Sequence, residues 1–266
     1  MKKITIPDIV KMKAEGRKIP VLTAYNYAIA KVLDNAGIPL IMVGDSCGMV
    51  EAGRENTLTV TMDEMVYHTR SVARGRDYAV VVSDMPFASY QTSVVEARRN
   101  AARLVKEGGA EAVKVEGGKR SLRAIKAIID MDIPVMGHIG LTPQSIHAMG
   151  GYRVQGKASE DADRLVDDAR ELEKAGVFSM VLEGMPQTLA KDITAALSIP
   201  TIGIGAGPHC DGQVLVSNDM LGLESPMKLP KYVKRYMDLK NIISSAVVEY
   251  VIDVEAGRFP SKEQSY

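Results

Sequence analysis

One unit recurs along this chain of 266 residues: a charged stretch with helical periodicity, a short apolar run, and a loop marked by Gly or Pro. The apolar runs are rich in β-branched residues and carry apolar side chains at both parities. This is typical of strands buried between a helical layer and a core. The segments that contain the predicted strands are 17–25, 32–45, 75–86, 106–118, 130–143, 173–186, 196–208 and 211–221.

Strands that alternate with helices form a parallel sheet. Eight units in a chain of this length, without a linker rich in Pro, Gly or Ser, favour a closed (β/α)8 TIM barrel that spans residues 1–266 as a single domain. An open, doubly wound sheet is the alternative. An extra helix is expected at 6–16, capped by Thr5, and one or two further helices at 231–256. Amphipathic helices are predicted at 62–74, 93–107, 160–175 and 187–198.

Charge and composition exclude several classes of partner. The 33 basic and 33 acidic residues cancel, so no global charge attracts the chain to nucleic acid or to an anionic membrane. No stretch resembles a signal peptide or approaches the roughly 20 apolar residues of a membrane span. Cys47 and Cys210 lie far apart and in no CxxC spacing, as expected of free thiols in a reducing compartment. A cytoplasmic protein is therefore expected.

Acidic residues stand at the ends of four predicted strands. The carboxyl ends of all strands in a parallel barrel meet at one rim, where active sites are built. We therefore expect these carboxylates at one rim of the barrel. They are Asp45, Asp84, Glu116 and Glu183.

Alternation along a strand predicts which side chains share a face. It places Asp45 on the face of Ile41 and Val43, and Lys114 on the face of Glu116. If these faces look into the barrel mouth, four carboxylates, a lysine and an imidazole converge there. The remaining pairs are Val82 with Asp84, Met136 with His138 and Val181 with Glu183.

Each of these residues also has a purely structural interpretation. An acid after a strand is often the N-cap or turn former of the next helix, which fits Asp45 and Asp84 better than the two glutamates. Lys114 lies inside an apolar run, where an uncompensated ammonium would be costly, so an ion pair with Glu116 is one explanation. A lone histidine is more often a hydrogen-bonded rim residue than a ligand.

Several carboxylates in one cleft repel one another and raise one another's pKa unless a cation joins them. Oxygen ligands suit Mg²⁺, which accepts one or two carboxylates and completes its shell with water and substrate oxygens. Such a metal stabilises an enolate and leaves one carboxylate free as a base. Two loops are weaker signals: a glycine-rich turn at 203–208, without the spacing of a dinucleotide site, and a candidate lid at 140–157.

The motifs closely resemble those of the ketopantoate hydroxymethyltransferase family, in the family's order and from about residue 3 to the last helix. They include "IMVGDSCGMV", "VVSDMPF", "AVKVEGG", "PVMGHIGLTPQS", "GGYRVQGK" and "LEGMP". The resemblance implies a (β/α)8 barrel with one Mg²⁺ per subunit. It also implies transfer of a one-carbon unit from 5,10-methylenetetrahydrofolate to 3-methyl-2-oxobutanoate, the first committed step of pantothenate biosynthesis. The family commonly forms homodecamers.

The resemblance also assigns roles by position. Asp45 and Asp84 match the metal-site aspartates, and Glu116 matches a third acidic residue of that site, whose contact with the metal can run through water. Glu183 matches the general base. The residues that would contact the keto acid are Asp45, Ser46, Asp84, Lys114 and His138.

Two other functions fit the same pattern. Another Mg²⁺-dependent, enolate-forming barrel that makes or cleaves C–C bonds in small oxyacids would use the same acids but would not need folate. A non-catalytic barrel could bind a small ligand and use its acids only as helix caps. Metal-dependent binding of the keto acid would separate the last possibility from the others.

Overall fold

The computed structural model describes residues 2–223 and 229–266 and confirms a closed barrel of eight parallel strands. Every strand pairs with the next in sequence, and the last closes on the first, so the open-sheet alternative is wrong. The strands are β1 (Ile19–Thr23), β2 (Leu40–Val43), β3 (Val80–Asp84), β4 (Ala112–Glu116), β5 (Val135–Gly140), β6 (Ser179–Glu183), β7 (Thr201–Ile204) and β8 (Gly212–Leu215).

Helices surround most of this barrel, and all four predicted amphipathic segments are helical. Short 3₁₀ turns cover Lys119–Ser121, Pro143–Ser145 and Lys262–Gln264. The helices are α1 (Ile6–Ala14), α2 (Tyr27–Asn35), α3 (Cys47–Val50), α4 (Met62–Gly75), α5 (Val94–Lys106), α6 (Leu122–Ile129), α7 (Ile146–Met149), α8 (Ser159–Lys174), α9 (Gln187–Ala196), α10 (Ser217–Leu221) and α11 (Leu239–Glu255).

The barrel interior is filled by an apolar core, and α1 belongs to it. Thr5 caps this helix as predicted, in a capping box with Asp8 that satisfies otherwise unpaired backbone N–H groups. Ile9 and Met12 are buried and cluster with interior residues such as Leu40. Since active sites of such barrels lie at the opposite, carboxyl end, α1 serves stability. Other interior residues are Ile19, Val21, Met42, Val80, Val82, Met136, Val181 and Val214.

The repeat breaks after β7. Residues 205–211 connect β7 to β8 without a helix, so the predicted alternation of strands and helices fails at this point. On the outer face of the barrel wall formed by β8 and β1, Pro20 and Gln213 are exposed. Of the one or two helices expected at 231–256, the structure contains one, α11.

None of the residues of α11 is buried.

That the whole chain, residues 1–266, forms one domain stays a prediction. No helix in the described part of the chain is both long and apolar enough to cross a membrane.

Candidate active site

A buried lysine lies at the centre of the rim. The Nζ atom of Lys114 is 3.3 Å from Asp84 Oδ2, 3.5 Å from Glu116 Oε1 and 3.1 Å from His138 Nδ1. All four residues are at most 4% exposed. The ion pair with Glu116 that structural reasoning suggested is therefore present, but it is one contact within a larger charged cluster.

Strand register brings these residues together. Asp84 of β3 is paired in register with Lys114 of β4, and Glu116 of β4 with His138 of β5. Their neighbours two residues earlier, Val82 and Met136, belong to the interior core, as does Val181 for Glu183. Alternation within continuous strands therefore predicted the inward-facing set on β3 to β6 correctly.

The same argument was wrong for Asp45. Ile41 and Val43 face outward and pack with the helical layer, whereas Leu40 and Met42 face the interior. Strand β2 ends at Val43, and the chain then turns. A residue beyond a strand end no longer follows its alternation. Asp45 reaches the site through this turn, where its backbone N–H donates to Asp84 Oδ2 at 3.1 Å.

None of the four acids is a helix N-cap. The caps of the helices that follow are Ser46 for α3, Ser93 for α5 and Pro186 for α9, and Gly118 precedes the turn after β4. The interpretation of Asp45 and Asp84 as N-caps is therefore wrong, although Asp45 does lie in the turn that precedes α3. Their burial must be explained by the contacts they make inside the barrel mouth.

The imidazole of His138 bridges two carboxylates. Its Nδ1 lies 3.4 Å from Glu116 Oε1. Its Nε2 lies 3.2 Å from Glu183 Oε2, but this second contact lacks the alignment of a hydrogen bond. Burial and the Lys114 ammonium lower the pKa of His138, but Glu116 and Glu183 outweigh them and raise it to about 9. Lys114 and His138 therefore lie side by side among several carboxylates.

Burial sets the protonation of the acids. It raises the pKa of Asp45, and the charges of Asp84 and Glu116 raise it further. Burial also raises the pKa of Asp84, against the opposing effect of Lys114. At Glu116, burial is outweighed by Lys114 and His138, so its pKa is lowered. The cluster therefore holds acids with opposite shifts in one place, an arrangement common at functional sites.

Two neutral residues that sequence reasoning missed support the acids. Gln144 donates from its side chain to Asp45 Oδ2 at 2.9 Å and from its backbone to Glu116 Oε2 at 3.0 Å. Tyr90 donates to Gln144 Oε1 at 2.7 Å, and its hydroxyl accepts from the Glu116 backbone N–H at 3.2 Å. Both side chains are buried. A search based on charge cannot find them, although Gln144 lies within the quoted motif "GHIGLTPQS".

A cavity of about 420 Å³ at the carboxyl end of the barrel is lined by the lysine, the histidine and the four acids. Ser46 belongs to its wall and shares a hydrogen bond of 2.9 Å with Tyr25. The candidate lid contributes Tyr152 and Arg153, and the glycine-rich turn contributes Gly205. All residues predicted to bind the keto acid, together with Glu116 and Glu183, therefore border one cavity.

The oxygen atoms present fit a Mg²⁺ ion with few protein ligands. Asp84 Oδ1 is buried and has no hydrogen-bond partner among the described residues, a costly situation that a cation would relieve. Asp45 lies beside it, whereas both oxygens of Glu116 are engaged by Lys114 and Gln144. No three His, Cys, Asp or Glu side chains within residues 2–223 and 229–266 form a ready metal cage. Mg²⁺ often binds through only one or two carboxylates, so the site remains suitable.

The fold and the site define a (β/α)8 barrel enzyme. Its acidic, oxygen-rich cavity lies at the carboxyl ends of the strands, where enzymes of this fold have their active sites. The model of the family "Ketopantoate hydroxymethyltransferase" matches residues 3–262. The chain belongs to this family.

Relatives of nearly equal length carry the corresponding name. The chain is 61% identical to 3-methyl-2-oxobutanoate hydroxymethyltransferase of Geobacter metallireducens over 265 residues, covering 100% of this chain and 99% of that protein. It is also 61% identical to the protein of the same name from Geobacter sulfurreducens, over 262 residues and 98% of each chain.

Solved structures with low sequence identity share the fold. Phosphonopyruvate hydrolase in complex with oxalate and Mg²⁺ aligns with a TM-score of 0.62 at 13% identity, covering 98% of this chain and 93% of that one. A 2,3-dimethylmalate lyase aligns with a TM-score of 0.61 at 14% identity, covering 98% and 91%. These similarities support the barrel architecture alone.

Replacing the central lysine should expose its role in the site. Lys114→Met leaves buried carboxylates without a counter-ion, so we expect the free energy of unfolding at neutral pH to fall by about 3–5 kcal/mol. The loss should shrink as the pH falls, because the unpaired acids take up protons. Urea unfolding with EDTA present measures it, and Lys11→Met, which removes only an exposed pair with Glu15, is the control. Equal stability of the two variants would contradict the central role of Lys114.

Proposed function

We propose that this protein transfers a hydroxymethyl group from 5,10-methylenetetrahydrofolate to 3-methyl-2-oxobutanoate and forms ketopantoate, the first committed step of pantothenate biosynthesis. Membership of the family supports this reaction. The observation that carries it is the grouping of Glu183, His138 and Lys114 around one cavity with two buried aspartates. A proton acceptor, a fixed positive charge and oxygen ligands for a cation are what an enolate-forming reaction needs.

Glu183 is the proposed general base. Its side chain is 12% exposed and reaches the cavity from the end of β6, so it can meet a substrate there. The contact with His138 orients the carboxylate, and His138 is in turn fixed by Glu116. Glu183 would take the proton from the carbon beside the ketone, leaving its electron pair to form the enolate.

The keto acid is proposed to bind next to Lys114 and Ser46 in this cavity. Lys114 offers an ammonium to its carboxylate or ketone oxygen, and Ser46 offers a hydroxyl. Asp45 and Asp84 would hold Mg²⁺, and Glu116 would contribute through water. When bound, the metal would lower the energy of the negative charge that develops on the ketone oxygen. Lys114 adds to this stabilisation because it is buried and already in place.

The transfer step uses the carbon beside the ketone after it has lost its proton. The carbon that loses its proton to Glu183 would form a bond to the methylene carbon of the folate as the first C–N bond of that methylene carbon breaks. Water would then add its oxygen to the same methylene carbon as the second C–N bond breaks. Tetrahydrofolate would leave with two protons on its nitrogens, one from Glu183 and one from the water. Tyr152 and Tyr232 line the mouth of the cavity, where a flat pterin ring can stack. The segment that carries Tyr152 is the candidate lid, which would exclude water from the enolate.

Removing the proposed base should slow the proton-transfer step and leave substrate binding intact. In Glu183→Gln we expect hydrogen–deuterium exchange at the carbon beside the ketone to slow by about 10²-fold or more, since a general base contributes about 10²–10⁴. NMR of 3-methyl-2-oxobutanoate in D₂O with Mg²⁺ measures the exchange, and calorimetry should find keto-acid binding retained. Glu160→Gln, at an exposed position in the first turn of α8, is the matched control.

The exchange is measured with and without tetrahydrofolate. If wild-type exchange requires the folate, the base acts only in the ternary complex. If exchange proceeds at full rate in Glu183→Gln under both conditions, Glu183 is not the base. Exchange that needs Mg²⁺, with no hydroxymethyl transfer from methylenetetrahydrofolate, would favour the alternative of a folate-independent enolate-forming barrel.

The proposed metal site has its own test. Asp84→Ala removes the carboxylate whose Oδ1 lacks a partner within the described chain, so keto-acid binding should weaken by at least about tenfold at limiting Mg²⁺. Raising the Mg²⁺ concentration should restore much of the affinity, because the remaining ligands still bind the ion weakly. Calorimetric titration of the keto acid across a series of Mg²⁺ concentrations measures this. Binding that is independent of Mg²⁺ in both proteins would exclude the role.

We also propose that the chain forms a cytoplasmic homo-oligomer, a decamer by the family resemblance. Helix α11 supports the assembly, since large apolar residues all around it are 45–57% exposed. A helix that is apolar all round is normally buried. The barrel wall at β8 and β1, where the described chain leaves Pro20 and Gln213 exposed, is the surface we propose for contact with a second copy. The two cysteines are free and buried, as suits the cytoplasm.

A charge placed on α11 tests this assembly. In Val248→Glu, which alters a side chain that is 57% exposed, we expect the solution mass to fall towards the 28.8 kDa of one chain. Sedimentation velocity measures the mass, and Val32→Glu, on the exposed face of α2, is the control. A wild-type mass of one chain would contradict the proposal.

A further inference from the structure

A second cavity lies behind the catalytic cluster. Its volume is about 630 Å³, within the usual range of about 300–1,000 Å³ for small-molecule sites. The 3₁₀ turn at Pro143–Ser145, the first turn of α5 and the start of α6 form its walls. Tyr90, Glu116 and Gln144 form the side that it shares with the catalytic cluster.

Two guanidinium groups make this cavity positive. Arg120 donates to Ser145 Oγ at 2.7 Å, and neither Arg120 nor Arg123 is paired with a carboxylate within the described residues. Arg123 makes no hydrogen bond or ion pair with any described residue. The one acid in the lining, Glu116, is already balanced by Lys114 and His138.

The rest of the lining is suited to an organic ligand. Phe87, Val94 and Ala124 supply apolar surface, and Gln91 and Ser93 supply polar groups beside it. Ser93 also caps α5, a helix of 13 residues, so the positive end of that helix adds to the potential of the cavity. An apolar wall next to unpaired guanidinium groups favours a molecule with an apolar body and an acidic group.

We propose that this cavity binds a small organic anion, whose carboxylate or phosphate lies at Arg120 and Arg123 and whose apolar part contacts Phe87, Val94 and Ala124. This site is separate from the keto-acid cavity, and its occupancy does not depend on the proposed reaction. Glu116 borders both cavities, and Gln144 in the wall of the second cavity donates from its amide to Asp45 of the first.

Benzoate and phenyl phosphate are suitable probes, since they carry the two candidate acidic groups on the same ring. Titration calorimetry is carried out with 3-methyl-2-oxobutanoate and Mg²⁺ at saturating concentration, so that the catalytic cavity is filled. We expect at least one probe to bind, and its dissociation constant to rise about tenfold in Arg123→Ala. Arg99→Ala, an equal loss of charge on α5 outside the cavity, should change the constant by less than about twofold.

The head group is identified by whichever probe binds more tightly. The proposal is overturned if neither probe binds the wild-type protein, if Arg123→Ala binds as tightly as wild type, or if the keto acid displaces the probe. A separate titration with the keto acid alone reports on the catalytic cavity. Failure of the proposed reaction and failure of the anion site therefore give different results.

Discussion

The barrel mouth depends on one buried ammonium group. A charge taken out of water is costly unless it is paired, and Lys114 is paired on two sides by Asp84 and Glu116. The dependence also runs in the other direction, since carboxylates this close together could not stay ionised without a cation. The acids, the imidazole and the lysine are therefore one electrostatic unit. All of them except Asp45 are held in place by the strand that carries them.

Much of the architecture could be predicted because the strand signal is local. Short, mainly apolar runs between charged helical stretches predicted all eight strands, and a capping residue predicted α1. The inward-facing acids on β3, β4 and β6 could also be predicted from the sequence, because side chains alternate regularly along a continuous strand. The resemblance to a family added chemical roles that no periodicity contains.

What could not be predicted depends on contacts between distant parts of the chain. Asp45 lies past the end of its strand, where a turn and not alternation sets its direction. Gln144 and Tyr90 are neutral and lie in loops, so nothing local marks them as supports of a carboxylate. The absence of a helix between β7 and β8 depends on the small number of residues that connect the two strands and on what covers the barrel wall there. Helix α11 carries an apolar signal, but the described residues of its own chain leave all of its side chains unburied.

The closed bottom of the barrel limits how molecules can enter. Ile9 and Met12 of α1 fill that end, and interior residues such as Met42 and Val181 form the floor of the cavity. Every ligand of this cavity must therefore pass through one mouth. If the folate binds at Tyr152 and Tyr232 as proposed, the keto acid that contacts the buried acids has to arrive first and leave last. A blind-ended pocket would then impose a compulsory order of binding and release on the catalytic cycle.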